Sequence, residues 1–404
     1  MSKEIKSKIV PKLRFPEFRG SDDWEEKPLS SVCNSFSGGT PTTSQKEFYG
    51  GDIPFIRSAE ISKDFTELFV TEEGLKNSSA KLVSKGDVLV ALYGANSGDV
   101  SLAKIDGAIN QAVLCLKSTE NNSFVYQFLL FKKNWIVSTY IQGGQGNLSG
   151  DIIKSLKLAF PKLSEQQKIA SCLSSLDEYV TAESQKLEAL KTHKKGLMQQ
   201  LFPAEGERVP KLRFPEFKFS GEWVFEKLGE VYSFISTNSF SRDNLNYKNG
   251  SIKNIHYGDI HTKFANLFDI QKEEVPFINL EMNIGKIKPE CYCIEGDVVF
   301  ADASEDLNDI GKSIELVNLN NEKLVSGMHT LLARQKQNKL VVGFGGILFK
   351  SNNVRTQIQR ESQGTKVLGI SSSRLEKLKI YYPKNEKEQQ RIVDCLSSLD
   401  DLIT

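Results

Sequence analysis

The feature that most constrains this chain is that much of it is written twice. Pro11-Lys12-Leu13-Arg14-Phe15-Pro16-Glu17-Phe18 returns unchanged 199 residues later, from Pro210 to Phe217, and Trp24 has its counterpart at Trp223 in the same frame. The frame still holds at Ile53-Pro54-Phe55-Ile56 followed by Glu60-Ile61, against Ile252-Lys253-Asn254-Ile255 followed by Asp259-Ile260. Farther on, Glu165-Gln166-Gln167-Lys168-Ile169 leads into Cys172-Leu173-Ser174-Ser175-Leu176-Asp177. The partner segment, Glu388 to Ile392 leading into Cys395 to Asp400, comes 223 residues later, so the second unit has gained 24 residues. Eight identical residues in a row exclude chance. The spacing lies far outside the roughly 20–50 residues of a solenoid repeat. Like borders around unlike interiors are the pattern of one scaffold carrying two variable reading heads.

Between the interiors runs a helix with a sharp period. Ile169, Leu173, Leu176, Val180, Leu187, Leu190, Leu197 and Leu201 follow alternating steps of four and three, with Glu183 and Lys194 in the two missing places. A narrow apolar stripe among Lys, Glu, Gln and Ser is a coiled-coil seam that needs one matching helix. Phe202-Pro203 ends it, because proline lacks the N–H that a continuing helix requires. The second copy starts the same pattern with Ile392, Leu396, Leu399 and Ile403 and then stops at Thr404, so its distal helix is expected to be cut short.

Each interior reads as mixed helix and strand. Gly86 to Gly94 and Gly296 to Ala301 are matching strands opened by a Gly-Asp turn, followed by strands at Ala112–Leu116 and His329–Ala333. Ser123 to Ile141 is predicted to be a helix whose aromatic stripe, Phe124, Phe128, Phe131 and Trp135, faces the core. Lys339 to Glu361 is its counterpart, weakened by Gly343, Gly345 and Gly346.

The missing chemistry narrows the function. There is no Pro-Pro dipeptide for the loop of an adenine methyltransferase, no Pro-Asp for the common metal-dependent nucleases, and no G-x-S-x-G for a serine hydrolase. Gly311-Lys312-Ser313 imitates the end of a phosphate-binding loop, but Asp306 stands where its first glycine belongs. Six scattered cysteines without a Cys-x-x-Cys pair read as reduced thiols of a cytoplasmic protein; Cys291 and Cys293 are placed on one face of a strand, and no metal site is expected. The longest apolar run, Leu340 to Phe349, falls well short of the about 20 residues that span a bilayer. Lys and Arg number 52 against 51 Asp and Glu, so any nucleic-acid binding must be local or shared with a partner.

What remains are loops built for contact. Ser37, Gly38, Gly39, Thr40 and Thr42 offer hydroxyl and N–H groups suited to phosphate oxygens. Tyr93, Asn96 and Ser97 follow a strand end, and Asn110 and Gln111 add two amides of the type that pair with adenine. Gln145 and Asn147 resemble Gln363, Thr365 and Lys366 in place and character. In the second unit Asn238, Ser241 and Arg242, with His256 and Tyr257, stand where the first has its Gly-Thr-Pro loop and Arg57.

These frame motifs, with the Ser37-Gly38-Gly39-Thr40-Pro41 loop and the Pro161-x-x-x-Glu165-Gln166-Gln167-Lys168-Ile169 run, resemble the specificity (S) subunit of bacterial Type I restriction–modification enzymes, the HsdS family. The resemblance covers essentially the whole chain, twice over. It implies an α+β fold with a pseudo-twofold repeat: an N-terminal arm (1–23), a target-recognition domain (24–160), a central coiled-coil helix (161–203), a repeat of the arm (204–222), a second recognition domain (223–383) and the start of the distal helix (384–404). Each domain would read one half of a split double-stranded DNA target. The helices would pair as an antiparallel coiled coil and dock two modification (methyltransferase) subunits, which restriction (translocase and endonuclease) subunits then join. The chain itself would be non-catalytic, with S-adenosylmethionine, ATP and Mg handled by those partners, which also supply much of the basic clamp. Carried over to this sequence, the DNA face takes in the loop residues above together with Ser304 and His329. The competing classes are a structural coiled-coil protein with duplicated heads and a fused methyltransferase or nuclease.

Overall fold

The computed structural model describes residues 9–140 and 147–403, in two compact units divided at Ala182/Glu183. In the first unit a four-stranded antiparallel sheet is built from β1 (Cys33–Ser37), β2 (Val88–Ala91), β3 (Val100–Leu102) and β4 (Val113–Ser118), in the order β1-β4-β2-β3. Strand β2 is apolar at every position because both faces are covered. Val88 and Val90 pack with Phe124, Val125 and Leu129 of helix α1 (Asn122–Tyr140), whereas Leu89 and Ala91 pack with Ile56, Ile61 and Ile109 of a second, smaller sheet. That smaller sheet holds Tyr49–Ile56 parallel to Gly107–Ile109.

The second unit repeats the plan. Its main sheet comprises β5 (Tyr232–Ile235), β6 (Leu267–Asp269), β7 (Val298–Ala301), β8 (Ser313–Asn318) and β9 (Thr330–Gln335), ordered β5-β9-β7-β8-β6. The first four strands of that order match those of unit one, and β6 is an extra strand parallel to β8. The expected helix at Lys339–Glu361 is broken in two, α3 (Phe344–Leu348) and α4 (Asn352–Glu361), with Gly343 at φ +95° before the first. Cys291 closes a single 3-10 turn, and Cys293 lies outside any named strand, so the strand expected there does not form.

The identical borders close each unit in the same way. Glu25–Pro28 pairs antiparallel with Lys157–Phe160, and Val224–Lys227 with Lys379–Tyr382. Beneath each pair lies a buried carboxylate. Arg14 donates to Glu165 at 2.8 and 2.6 Å, and the Trp24 indole N–H reaches the same group at 3.3 Å. Arg213 and Trp223 treat Glu388 likewise, at 2.7, 2.8 and 3.3 Å. The neighbouring glutamines, Gln166 and Gln389, are fully buried and donate to the carbonyls of Pro161 and Pro383. The repeated Arg, Trp, Glu and Gln are thus the clasp of each unit.

Glu165 lies in the first turn of α2 (Leu163–Leu201), the long helix foreseen from the seam. The seam has three fates. Ile169 packs on the core of unit one, and Leu197 and Leu201 on that of unit two, while Leu187 and Leu190 are half-buried. Leu173, Leu176 and Val180 stay exposed. Within unit two, Lys194 meets Asp400 of α5 (Glu386–Ile403), while Phe202 packs edge-to-face against Trp223, which bonds Glu388. The end of α2 and α5 therefore run antiparallel. No helix among the described residues is long and apolar enough to cross a membrane.

Candidate nucleic-acid interface

The strand registers bring the predicted loops of unit one to a single edge. Ser37 pairs with Leu114 and Ala91 with Val113, so the ends of β1 and β2 meet the start of β4. The parallel pairing of Ile56 with Ile109 sets Arg57 beside Asn110, whose N–H reaches the Ile56 carbonyl. Thr40 donates to Gln111 at 2.6 Å, and the Leu148 N–H bonds the Leu92 carbonyl, which places Asn147 beside Tyr93. Thr40, Thr42, Tyr93, Gln111 and Asn147 are exposed there. Gln145 lies outside the described residues.

Several candidates are spent inside the fold instead. A Cβ on Gly38 would lie 1.7 Å from the Ile109 carbonyl oxygen, and one on Gly39 2.0 Å from Ser79 Oγ. These glycines let the loop press onto its neighbours, and Gly39 is buried rather than open to phosphate. Ser97 Oγ donates to the Leu92 carbonyl, Asn110 accepts from the Ala112 N–H, and Asn96 bonds Asp99, so these side chains shape the edge.

At this edge is an ion pair that the sequence reading passed over, its carboxylate buried and its guanidinium partly exposed. Arg57 donates to Glu60 through Nε at 3.0 Å and Nη2 at 2.9 Å, and to Glu67 at 2.7 Å. Glu60 is 2% exposed. Burial pushes its carboxyl up, but the Arg57 guanidinium and the N–H groups of Glu67 and Arg57 outweigh this and hold it at about 2.

Unit two places Asp259, 1% exposed, at the matching position, yet its arginine comes from elsewhere. Arg242 reaches it through Nη1 and Nη2, both at 2.8 Å, and also bonds Tyr247 and His256. Arg242 is therefore a strut with most of its N–H groups occupied. His256, standing in the place of Arg57, accepts at Nδ1 from both Arg242 and the Gly258 N–H, at 3.1 Å each. Burial and then the Arg242 charge lower its pKa. With Nδ1 accepting, its remaining proton sits on Nε2. His256 caps a short helix, Tyr257–Thr262, rather than lying in a loop as expected.

Around it Tyr257 lies 4.7 Å from the His256 ring and 5.3 Å from that of His329. His329 takes a left-handed backbone, φ +57°, with Nδ1 3.2 Å from Asp302 Oδ1. Asn238 is turned inward onto Asn254 and the Ser326 carbonyl, and Ser241 Oγ donates to Asn244. Ser304 pairs with Leu368 across a short ladder, bringing the exposed Gln363, Thr365 and Lys366 to the same edge. The signal that marked the ion pairs was in the sequence: an acidic residue four places after the matched Ile in both copies.

A family model described as the Type I restriction modification DNA specificity domain matches residues 21–192 and again 220–404. The MjaVIII Type I restriction enzyme specificity subunit of Methanocaldococcus jannaschii is 25% identical over 415 residues, spanning 99% of this chain and 90% of that protein. The MjaIX specificity subunit of the same organism is 25% identical over 261 residues, 58% of this chain and 59% of that protein. Among solved structures, the Type-I restriction-modification system S subunit from M. genitalium overlays with a TM-score of 0.61 at 14% identity, covering 98% of this chain and 93% of that one; this likeness concerns the fold.

Proposed function

The chain belongs to the Type I restriction–modification DNA specificity family, and on that premise we propose that each unit reads one half of a bipartite DNA target through the loop edge just described. It is the non-catalytic specificity component of such a complex and acts with DNA and other subunits. The observation that carries the reading is that both units gather matched loops at one edge around a buried carboxylate, yet fill that edge with different side chains. Unit one presents Thr40, Arg57, Tyr93, Gln111 and Asn147; unit two presents His256, Tyr257, His329 and the segment Gln363–Lys366. Hydroxyls, amides and imidazoles carry the hydrogen-bonding code of base edges, and nothing in the set offers a nucleophile held against a base.

The finer assembly follows the same reading. Two modification subunits dock along α2, restriction subunits join them, and S-adenosylmethionine, ATP and Mg belong to those partners. Replacing residues 24–160 with the equivalent segment of another family member tests the division of labour. Methylome sequencing of a host carrying the hybrid and the modification partner should show one half-site changed and the other kept. A change in both halves would mean that the units do not read separately.

A further inference from the structure

The start of helix α1 in unit one lies against α2. Asn121 bonds Gln166 and Gln167, and one stretch later Gln127 Nε2 donates to Asp177 Oδ2 at 3.0 Å. The next turn of α1 beyond that contact carries Leu130 and Phe131, and the turn after it carries Trp135. The sequence placed this aromatic stripe in the core. Phe124 is indeed 3% exposed, but Phe131 is 79% and Trp135 49% exposed. Across the contact, on α2, stand the exposed Leu173, Leu176 and Tyr179. The middle of the seam and the aromatic end of α1 therefore both expose apolar side chains within unit one.

That surface has a particular chemistry. The Lys132 ammonium lies 5.5 Å from the Phe131 ring and 5.8 Å from the Trp135 ring, on aromatic faces rather than on a carboxylate. Beside it is a cleft of about 100 Å³ lined by Phe128, Leu129, Trp135 and Leu156 together with Lys132 and Lys157, the latter 3.8 Å from Glu26 Oε2. A cleft of that size accepts a single side chain, and the Lys132 ammonium, held over aromatic rings, favours a carboxylate beside it. Among the described residues, unit two has no equivalent. The apolar residues of α3 are buried, and α4 offers Arg355, Gln357 and Arg360 instead.

We propose that the α1 face around Phe131, Lys132 and Trp135 is a docking surface for a partner protein segment that inserts one large apolar side chain flanked by acidic ones, and that it exists in unit one alone. The proposal rests on reading the chain as a subunit of a complex and names the surface that one partner copy uses beyond the α2 seam. A phosphate strand would meet the ammonium groups but leave the apolar cleft unfilled, whereas an apolar side chain flanked by carboxylates satisfies both.

The test uses the full chain and its purified modification subunit. Phe131→Ser and Lys132→Glu alter exposed side chains and should leave thermal unfolding unchanged. Each is expected to weaken the complex at least tenfold in a titration, with the Lys132→Glu effect shrinking as salt rises. Wild-type affinity in both variants, alongside loss of the complex in a Leu187→Asp/Leu190→Asp chain, overturns this surface while leaving the subunit reading intact. Failure of the wild-type chain to bind the modification subunit overturns both. Loss of DNA affinity by the partner-free variants, or of self-association by Phe131→Ser, assigns the face to another occupant and also overturns the proposal.

Discussion

Arg213 closes on Glu388, 175 residues away in the chain, with Nε and Nη2 donating at 2.7 and 2.8 Å in a site where their side chains are only 7% and 1% exposed. Arg14 and Glu165 repeat the clasp in unit one. Each joins the arm before a unit to the helix after it. Because a buried ion pair is expensive to break from one side, Glu388→Ala should cost unit two roughly 3–5 kcal/mol, leaving Arg213 charged and the Trp223 N–H without its acceptor. Hydrogen exchange resolved by peptide should show the loss spread across unit two and little change before Ala182. Native protection throughout would mean that the clasp contributes nothing.

The carboxylate beneath the reading edge makes a second prediction. Glu60 is held at about 2, below the ordinary carboxylate range, so the stability it contributes is present above about pH 4.5 and is lost as pH falls toward 2. Glu60→Gln should flatten acid unfolding of unit one in that window. At neutral pH it should free Arg57 and reduce recognition of one half-site, with the other half-site untouched in a methylation assay.

Glu315 on β8 predicts the opposite slope. Its side chain is buried beside the Tyr232 hydroxyl, with the Gly346 N–H donating to Oε2 at 2.6 Å while Oε1 lacks a partner. Burial pushes its carboxyl up to about 7, against the pull of the Gly346, Gly343 and Gly345 N–H groups. The folded state then keeps a proton that the unfolded chain has released, so stability falls as pH rises from about 4.5 to 7. Glu315→Gln should remove that slope and raise the melting temperature of unit two at pH 7.5. A steeper slope would contradict the assignment.

The seam yields a prediction for assembly. Leu187→Asp with Leu190→Asp places two charges on half-buried seam positions, where an unpaired carboxylate costs several kcal/mol unless the helices separate. The double variant should lose its complex with the modification subunit on a sizing column while both units keep their melting transitions. An unchanged elution profile would remove α2 from the interface.

Much of this architecture was legible because it is local or repeated. The unbroken apolar runs of β2 and β7, the four-and-three steps of α2, and the border motifs each declare themselves over a few residues, and duplication tells the eye which of them matter. The two-unit organisation, the matched loops and the long helix follow from those signals alone. Tertiary structure decided how equivalent-looking polar residues were spent. Gly39 and Ser97 serve internal packing, and Arg242 is a strut under His256, whereas Thr40, Gln111 and His329 remain exposed at the edge. It also decided that Asp259 takes its guanidinium from a loop 17 residues upstream, while Glu60 takes its own from three residues away. A composition or a spacing cannot carry that distinction. Whether a polar side chain faces solvent or a neighbour is set by which distant strands pair, and that pairing is a property of the folded chain.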